Sequence, residues 1–305
     1  MSIGANGLVN AGYRGIADIA GTQLRFADAN ITARQEIEAP DLVMGDWDRD
    51  AYVYGKIEVG GSISGPVTET FVSALSGTSL LEWACGRTTD CGELTTNDVH
   101  LYYYCGSDRE FTNLYVNSFN FSVAAGEVSQ FSLDVIGTGA QDFGTTSPAP
   151  AFQDAEKLLT WDKVNVSLLS SSSDTQGGDP GSFVGLGFSN FEFTVNNNVQ
   201  PLYGLGQADL FPFDIVPGIR QISGSLSVYN TPSFNGADAF DNYCAGNESV
   251  LRFSLGSTCI GQTIDVDLRV RFHRIEPTLN SGAIISTVGF TGVSHQSGAP
   301  WDIAP

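Results

Sequence analysis

The side chains most able to do chemistry are few and scattered along the chain. Three histidines, His100, His273 and His295, share no spacing typical of a metal site. His273 alternates with Phe272 and Arg274 on a predicted strand, which favours a structural role. The five cysteines contain no Cys-x-x-Cys pair, so a zinc site is not predicted.

One acidic stretch has part of the spacing of a calcium loop. Asp46, Asp48 and Asp50 stand at its first, third and fifth positions. However, Ala51 occupies the position that requires glycine, and Glu58 comes one residue too late for the last ligand. A solvated acidic turn is the better interpretation, and no metal is predicted.

Signatures of catalysis are also missing from the sequence. The pentapeptide GSISG centres on Ile63, so it is not a serine nucleophile elbow. No phosphate-binding loop is present, and no glycine-rich turn opens a predicted helix. We therefore expect no enzyme, no catalytic residue and no cofactor.

Composition restricts the protein class further. The 305 residues carry a net charge of −20, from 34 acidic and 14 basic side chains, so a basic patch for nucleic acid is excluded. Charged residues make up only 16%, and 35 glycines favour strands and tight turns over helices. No apolar run approaches the roughly 20 residues of a membrane span. The N-terminal stretch lacks the features of a signal peptide, so we expect reduced cysteines.

The elements that would position any site occur twice. EVGGSISG at Glu58–Gly65 is similar to ISGSLSVY at Ile222–Tyr229, with Gly61 on Gly224. Upstream, Phe26–Ile37 and Phe188–Val199 alternate apolar and polar residues in the same register. Three further segments recur downstream in the same order. This pattern predicts an internal duplication; the alternative is that Ser-, Gly- and Val-rich strands resemble one another by composition.

The duplication predicts a mainly β protein with two tandem β-sandwich or barrel domains. The first would span residues 1–148 and the second residues 149–305, with the linker in Gly144–Asp154. Each domain would carry one short flanking helix, near Leu80–Cys85 and near Ala237–Cys244.

Four segments lie outside the repeated strands. Glu38–Gly55 and Gln200–Gly218 are long and rich in aromatic and acidic residues, as expected of binding or packing loops. Arg87–Val99 and Ser170–Ser182 have no counterpart in the other half. The two halves are therefore expected to differ at these insertions.

The repeated strands also carry matching polar faces. Alternate residues of a strand point to the same face of the sheet. In both halves, one of these alternating sets consists mainly of short polar residues, with a few carboxylates. Their members are Asp28, Asn30, Thr32, Arg34 and Glu36, with Glu58, Gly60, Ser62 and Ser64, in the first half, and Asn190, Glu192, Thr194, Asn196 and Asn198, with Ser223, Ser225 and Ser227, in the second. Such a face stays hydrated and does not grip phosphate.

This order of elements resembles the major tail tube proteins of tailed bacteriophages. The resemblance lies in Leu24–Thr32, a long loop, Gly55–Val67, a helix and closing strands, twice over. It implies a structural virion protein, made in the host cytoplasm, whose duplicated domain lets three chains imitate a ring of six. Stacked rings would form a hollow tube through which DNA passes without specific binding. The implied partners are other copies of the chain and the tape measure, tail terminator and baseplate or tip proteins.

The resemblance also implies roles for individual residues. The lumen would be lined by carboxylates that stand free of partners: Asp28, Glu36, Glu58 and Glu192. Ring stacking would bury aromatic residues of the two long loops: Trp47, Tyr52, Tyr54, Tyr203, Phe211 and Phe213.

Two other classes fit the composition. A virion-associated β-sandwich adhesion or carbohydrate-binding protein would use the aromatic loops to stack on sugars. A two-carboxylate glycosidase is the third possibility, although no pair of carboxylates is nominated by the sequence. Only a tube protein is expected to form rings or hollow filaments.

Overall fold

The described part of the chain is built almost entirely from antiparallel strands, which confirms the mainly β prediction. The computed structural model describes residues 15–19, 22–38, 53–68, 83–84, 94–102, 109–142, 158–169, 183–185, 187–205, 210–229, 248–257, 262–280, 283–292 and 301–304. The strands are β1 Gly15–Ile19, β2 Thr22–Phe26, β3 Asp28–Ala29, β4 Thr32–Glu38, β5 Val53–Pro66, β6 Asn97–Tyr102, β7 Arg109–Ala124, β8 Gln130–Asp142, β9 Val164–Leu169, β10 Phe183–Gly185, β11 Phe188–Asn196, β12 Gln200–Leu202, β13 Asp214–Val216, β14 Gln221–Tyr229, β15 Ser249–Ser257, β16 Gln262–Asn280, β17 Ala283–Gly292 and β18 Trp301–Ala304. One 3₁₀ turn, Trp161–Lys163, precedes β9.

Sixteen of these strands form one sheet that runs through both halves of the chain. In the first half the order is β4, β5, β8, β7, β6, β1, β2, and β3 also pairs with β5. In the second half the order is β11, β14, β17, β16, β15, β9, β10, and β18 pairs with β16. The halves are joined where β11 lies antiparallel to β7, from Asn190 opposite Ala124 to Asn196 opposite Ser118. The remaining strands, β12 and β13, form a separate hairpin.

Two-residue alternation explains why these segments fold as strands with one buried face. In β7, Phe119, Phe121 and Val123 are buried, whereas the residues between them are only half-buried. β11 repeats the pattern with Phe191 and Phe193. The apolar face is therefore continuous across the strand pair that joins the halves.

Aromatic side chains from both halves fill the core beneath this junction. Phe253 of β15 lies with its ring centroid 4.9 Å from Phe193 and 6.1 Å from Phe121, although β15 is not a neighbour of β11 or β7 in the sheet. β15 therefore packs across the buried face as a second layer, the arrangement of a β-sandwich. Rings at these separations contribute about 0.5–1.5 kcal/mol per pair beyond the area that they bury.

Two glycines allow neighbouring strands to approach closely. A Cβ atom on Gly61 would lie 2.5 Å from the carbonyl oxygen of Asn30, and one on Gly224 would lie 2.4 Å from that of Glu192. Both contacts are with backbone, which a side-chain rotation cannot relieve. The Ser/Gly strands therefore require glycine at these positions.

A buried asparagine ties the two halves together. Asn197, 1% exposed, donates from Nδ2 to the carbonyl oxygens of Ala84 at 2.7 Å and Val116 at 2.9 Å. Its Oδ1 accepts a hydrogen bond from Arg220 Nε at 2.9 Å. One side chain thus bonds to segments from both halves of the chain.

The predicted helices fall mainly outside the described residues. Within Leu80–Cys85, Trp83 and Ala84 have helical backbone and are fully buried. The indole Nε1 of Trp83 donates to the carbonyl oxygen of Leu114 at 3.1 Å. The second predicted helix, Ala237–Cys244, the linker and Ser170–Ser182 lie outside the described residues.

Candidate functional site

On the side opposite the core, the long sheet carries rows of polar side chains that run through both halves and end at Ile136 and Tyr115, which pack with Leu94, Val199 and Ile215. Residues that face one another in register across eight strands are all polar: Asp28, Ser64, Ser132, Asn120, Thr194, Ser223, Thr291 and Arg271. The adjacent row on the opposite side is apolar: Ala29, Ile63, Leu133, Phe119, Val195 and Ile222. We call the surface built from the first kind of row the polar face. It spans both halves because β7 and β11 are neighbours.

Short side chains on the polar face bond to one another across strands. Ser118 Oγ donates to Asp134 Oδ2 at 2.7 Å, linking β7 to β8. At the junction of the halves, Asn120 Nδ2 donates to Glu192 Oε1 at 3.1 Å and to Thr194 Oγ1 at 2.9 Å. These bonds pair short polar groups across neighbouring strands and hold them close to the sheet.

All four predicted lumen carboxylates are exposed, but they do not all stand free. Asp28 lies on β3 and Glu192 on β11. Lys56 Nζ is 2.6 Å from Glu58 Oε1 and 3.9 Å from Glu36 Oε1. The hydrogen bond to Glu58 raises the pKa of Lys56. The expectation of carboxylates without partners is therefore wrong for Glu58 and Glu36, because β5 places a lysine two residues before Glu58. It is also wrong for Glu192, which accepts the hydrogen bond from Asn120.

Sequence reasoning missed two charged residues of this surface. Asp134 lies opposite Ser62 in the register of β5 and β8 and is exposed. Asp134 is two residues after Ser132 on β8, so the two side chains point to the same face. This two-residue spacing could have predicted the position of Asp134 from the sequence. Lys56 shares the parity of Glu58, and the same rule would have placed both side chains on one face.

A groove crosses the polar face beside the segment that follows β11. Its volume is about 570 Å³, and Arg34, Glu58, Asp134, Tyr203 and Pro212 are among the residues that line it. One wall is thus sheet, and the other is formed by Pro201, Tyr203 and Pro212. With carboxylates and an arginine in the same wall, the groove has no cationic cluster suited to phosphate.

The described parts of the segment after β11, residues 200–205 and 210–218, pack against the first half of their own chain. Ile57 N donates to the carbonyl oxygen of Leu210 at 2.8 Å, and the Tyr203 hydroxyl donates to the carbonyl oxygen of Ile57 at 3.2 Å. Burial raises the pKa of Tyr203. Phe211 contacts the main hydrophobic core.

The predicted stacking aromatics therefore fall into three groups. Tyr203 and Phe211 are half-buried within the isolated chain, so the expectation that they are buried only between rings is wrong. Tyr54 and Phe213 are 62% and 54% exposed. Trp47 and Tyr52 lie outside the described residues. The sequence could not distinguish these groups because a tyrosine that packs on its own chain has the same local pattern as one that packs on a neighbour.

The histidines of the described segments are held in pairs, not clusters. His273 Nδ1 lies 3.3 Å from Thr291 Oγ1, and His100 Nε2 lies 3.2 Å from Glu110 Oε1. Within those segments, no three His, Cys, Asp or Glu side chains are grouped so that they could hold a metal ion. The acidic triplet of Asp46, Asp48 and Asp50 lies outside them.

The fold places the chain among β-sandwich proteins with one polar sheet face. Antiparallel sheets commonly pack one face on the core and leave the other in water, so this class contains many families. Comparison with known families identifies which one: the model of the phage tail tube protein family matches residues 6–292. The chain belongs to this family, and it is a structural component of the tail of a phage virion. No curated protein matches the chain significantly. In the described part of the chain, no helix is long and apolar enough to cross a membrane.

Proposed function

We propose that the chain is a duplicated tail tube subunit, with tube domains at residues 1–148 and 149–305, that assembles as rings of three chains. The strand order carries this proposal. The two halves have the same order of strands in the sheet, and every neighbouring pair is antiparallel in both. In sheet order, β4, β5, β8, β7, β6, β1 and β2 of the first half correspond to β11, β14, β17, β16, β15, β9 and β10 of the second. Three chains would then supply six similar sectors around a closed ring.

The register of strand pairing supports the duplication residue by residue. Ala29 lies opposite Ile63, and Phe191, 162 positions later, lies opposite Leu226, which is 163 positions after Ile63. The same offsets carry the Arg34–Glu58, Thr32–Gly60 and Asp28–Ser64 pairs onto Asn196–Gln221, Thr194–Ser223 and Asn190–Ser227. Similar composition alone gives no reason for register to agree.

A shared irregularity supports the same proposal. β7 has a bulge against β8 between Val116 and Ser118, and β16 has one against β17 between Phe272 and Arg274. Val135 and Asp134 oppose the first bulge, and Phe290 and Gly289, 155 positions later, oppose the second. Bulges are specific features of a strand pair, so one at the same place in both halves supports the proposed duplication.

We propose that the polar face lines the lumen. Its hydroxyls and amides stay hydrated, and its carboxylates repel a DNA backbone within a Debye length of about 8 Å at physiological salt. Lys56 and Arg34 reduce this repulsion locally, so the polar surface contributes as well as the charge. DNA would slide without a contact strong enough to hold it.

The lumen proposal predicts a change in DNA passage. Glu58→Lys together with Glu192→Lys places cations on both halves of the polar face and should leave assembly intact. We expect slower genome ejection and a delay that shrinks as salt rises, because phosphate contacts release counterions. The matched control is Glu58→Gln with Glu192→Gln, which removes the same charges without adding cations. Ejection at the normal rate from the lysine variant would contradict the lumen assignment.

We propose that the long loops mediate ring stacking and contact with the tape measure, tail terminator and tip proteins. Apolar side chains are exposed along the second loop: Leu202, Leu205, Leu210, Phe213 and Val216. Ile37 and Tyr54, which face each other at the base of the first loop, are 59% and 62% exposed. An apolar surface of this kind is typical of an interface.

Electron microscopy of the purified protein tests the function. We expect negatively stained rings or hollow filaments with a central channel. Adhesion proteins and glycosidases would remain as isolated particles. Monodisperse single chains at concentrations at which tail tubes assemble would contradict the proposal.

A further inference from the structure

The strand pair that joins the halves also specifies how one chain meets the next. We infer that β3 and β4 of one chain pair antiparallel with the second half of β16 of a neighbouring chain, with Asp28 opposite Asn280 and Arg34 opposite Arg274. This inference rests on the proposed function. It adds the pair of edges and their register, which ring formation alone does not fix.

The register follows from positions within the chain. β11 corresponds to β3 and β4 by subtracting 162 from each residue number, and β7 corresponds to the second half of β16 by adding 156. Inside the chain, Asn190 lies opposite Ala124 and Asn196 opposite Ser118. Applying both offsets gives the pairs Asp28–Asn280 and Arg34–Arg274, whose numbers sum to 308 throughout.

Both edges have room for this partner. β3 and β4 pair with β5 on one side, and no described strand pairs with their other side. β16 pairs with β15 along Gln262–Val270, and beyond Val270 no described strand occupies that same edge. The equivalent edge of β7 carries β6 first and then β11. The place that β11 fills on β7 therefore has an open counterpart on β16.

Burial on the apolar side indicates a missing neighbour. Leu279 of β16 is 75% exposed, whereas Val123, its counterpart in β7, is 2% exposed. Val123 is covered because it lies opposite Phe191. In the inferred pairing Leu279 lies opposite Ala29, so a large side chain meets a small one. At the internal junction, β11 and β7 both contribute large apolar residues. The inferred junction between chains is also apolar on this side, but it pairs a large residue with a small one.

On the polar side, the inferred junction can form a side-chain hydrogen bond equivalent to the one between β7 and β11. The strand that supplies the donor and the strand that supplies the acceptor are exchanged. Within the chain, Asn120 donates to Glu192 and Thr194. In the inferred junction, Glu276 takes the place of Asn120, Asn30 that of Glu192, and Thr32 that of Thr194. Asn30 Oδ1 already accepts from Ser62 N at 2.7 Å, so its Nδ2 is the group that would donate to Glu276.

Two features make this junction weaker than the internal one. Pro277 takes the place of Phe121, so the ladder toward Ile31 lacks one N–H donor. Arg34 and Arg274 face each other, although Arg274 Nη2 lies 2.9 Å from Glu276 and Arg34 lies opposite Glu58. A weaker junction between chains than within them suits subunits that fold before they assemble.

Disulfide crosslinking of the full chain tests the register. Asn197 N donates to Asn117 O, so the hydrogen-bonded pairs between β7 and β11 fall on odd-numbered residues of β7. Glu276 corresponds to Asn120, which has an even number, so Thr32 and Glu276 form a non-hydrogen-bonded pair. Thr32→Cys with Glu276→Cys therefore places two cysteines close enough for a disulfide. Asp28→Cys with Glu276→Cys is the matched control, four residues out of register and about 13 Å apart. Under mild oxidation of assembled protein we expect covalent species up to trimer, at least tenfold above either single variant and above the control.

Several outcomes would overturn the inference. Crosslinking no higher than in the single variants, equal crosslinking in the control pair, or dimers from Thr32→Cys alone would each exclude this register. If the wild-type protein forms rings or tubes under the microscope while the pair does not crosslink, the inference fails and the proposed function stands. If the wild-type protein forms neither, the proposed function itself fails.

A second variant pair tests the same contact without cysteine. Glu276→Lys should lower the yield of rings at least tenfold, since lysine would face Asn30 and Thr32 beside two arginines. Exchanging the pair as Asn30→Glu with Glu276→Asn reproduces the Asn120–Glu192 arrangement and should keep assembly within about twofold of wild type. Normal assembly of Glu276→Lys would contradict the inferred pairing.

Discussion

Replacing Asn197 tests whether the two halves are held as one unit. Asn197→Leu keeps a similar side-chain volume but removes both hydrogen bonds that Nδ2 donates and the one that Oδ1 accepts. The change strands the carbonyl oxygens of Ala84 and Val116 and removes a partner of Arg220. A buried polar group left without its partner costs about 1–3 kcal/mol, so three such losses with partial relaxation should lower the free energy of unfolding by about 3–5 kcal/mol.

Urea denaturation followed by tryptophan fluorescence measures this change. Asn165→Leu, at an exposed position of β9, is the matched control and should stay within about 0.5 kcal/mol of wild type. We also expect Asn197→Asp to be destabilising, because a carboxylate cannot donate to two carbonyl oxygens. A loss below about 1 kcal/mol for Asn197→Leu would refute the reasoning.

Three further predictions follow from individual contacts. Gly224→Ala places a Cβ 2.3 Å from Phe290 Cζ and 2.4 Å from the Glu192 carbonyl oxygen, so urea unfolding should show a free energy of unfolding lower by about 1–3 kcal/mol. The control Gly187→Ala, whose Cβ would have nothing within 4 Å, should change this free energy little. Equal effects of the two substitutions would contradict the packing argument. Tyr203→Phe removes one donated hydrogen bond and should cost about 0.5–1.5 kcal/mol. Because the pKa of Tyr203 is raised in the folded state, its contribution to the free energy of unfolding is fully present below about pH 10 and is lost as pH rises through the folded pKa. The free energy of unfolding of the wild type, measured against pH, should show this loss. The same pH dependence in the Tyr203→Phe variant would exclude Tyr203 as its source. Tyr54→Ser with Phe213→Ser should leave rings that do not stack into long tubes under the electron microscope, and tubes of normal length would rule out these side chains as stacking contacts.

Strand identity and facing were predictable because both depend on local alternation. The alternating segment at Phe188–Val199 predicts β11, and the structure buries Phe191, Phe193 and Val195 as the pattern requires. The alignment of Gly61 with Gly224 paired two positions at which the structure brings the backbone of the neighbouring strand equally close. Short-range pattern carries this information because side-chain direction in a strand repeats every two residues.

Contacts between distant segments could not be predicted in the same way. Nothing in the local sequence of β7 or β11 indicates that they are neighbours, and the bonds of Asn197 to Ala84 and Val116 join segments far apart in the chain. The ion pair of Lys56 with Glu58 depends on rotamers as well as on parity. Long-range pairing is decided by the whole core, which no single segment contains.

A cryo-EM reconstruction of the assembled tube tests most directly whether duplicated subunits form the ring and line its lumen. We expect three chains per ring, six similar sectors, and the row that contains Ser64, Asn120, Thr194 and Ser223 facing the central channel. A ring of six whole chains, or a tube with this row on its outer surface, would contradict this expectation.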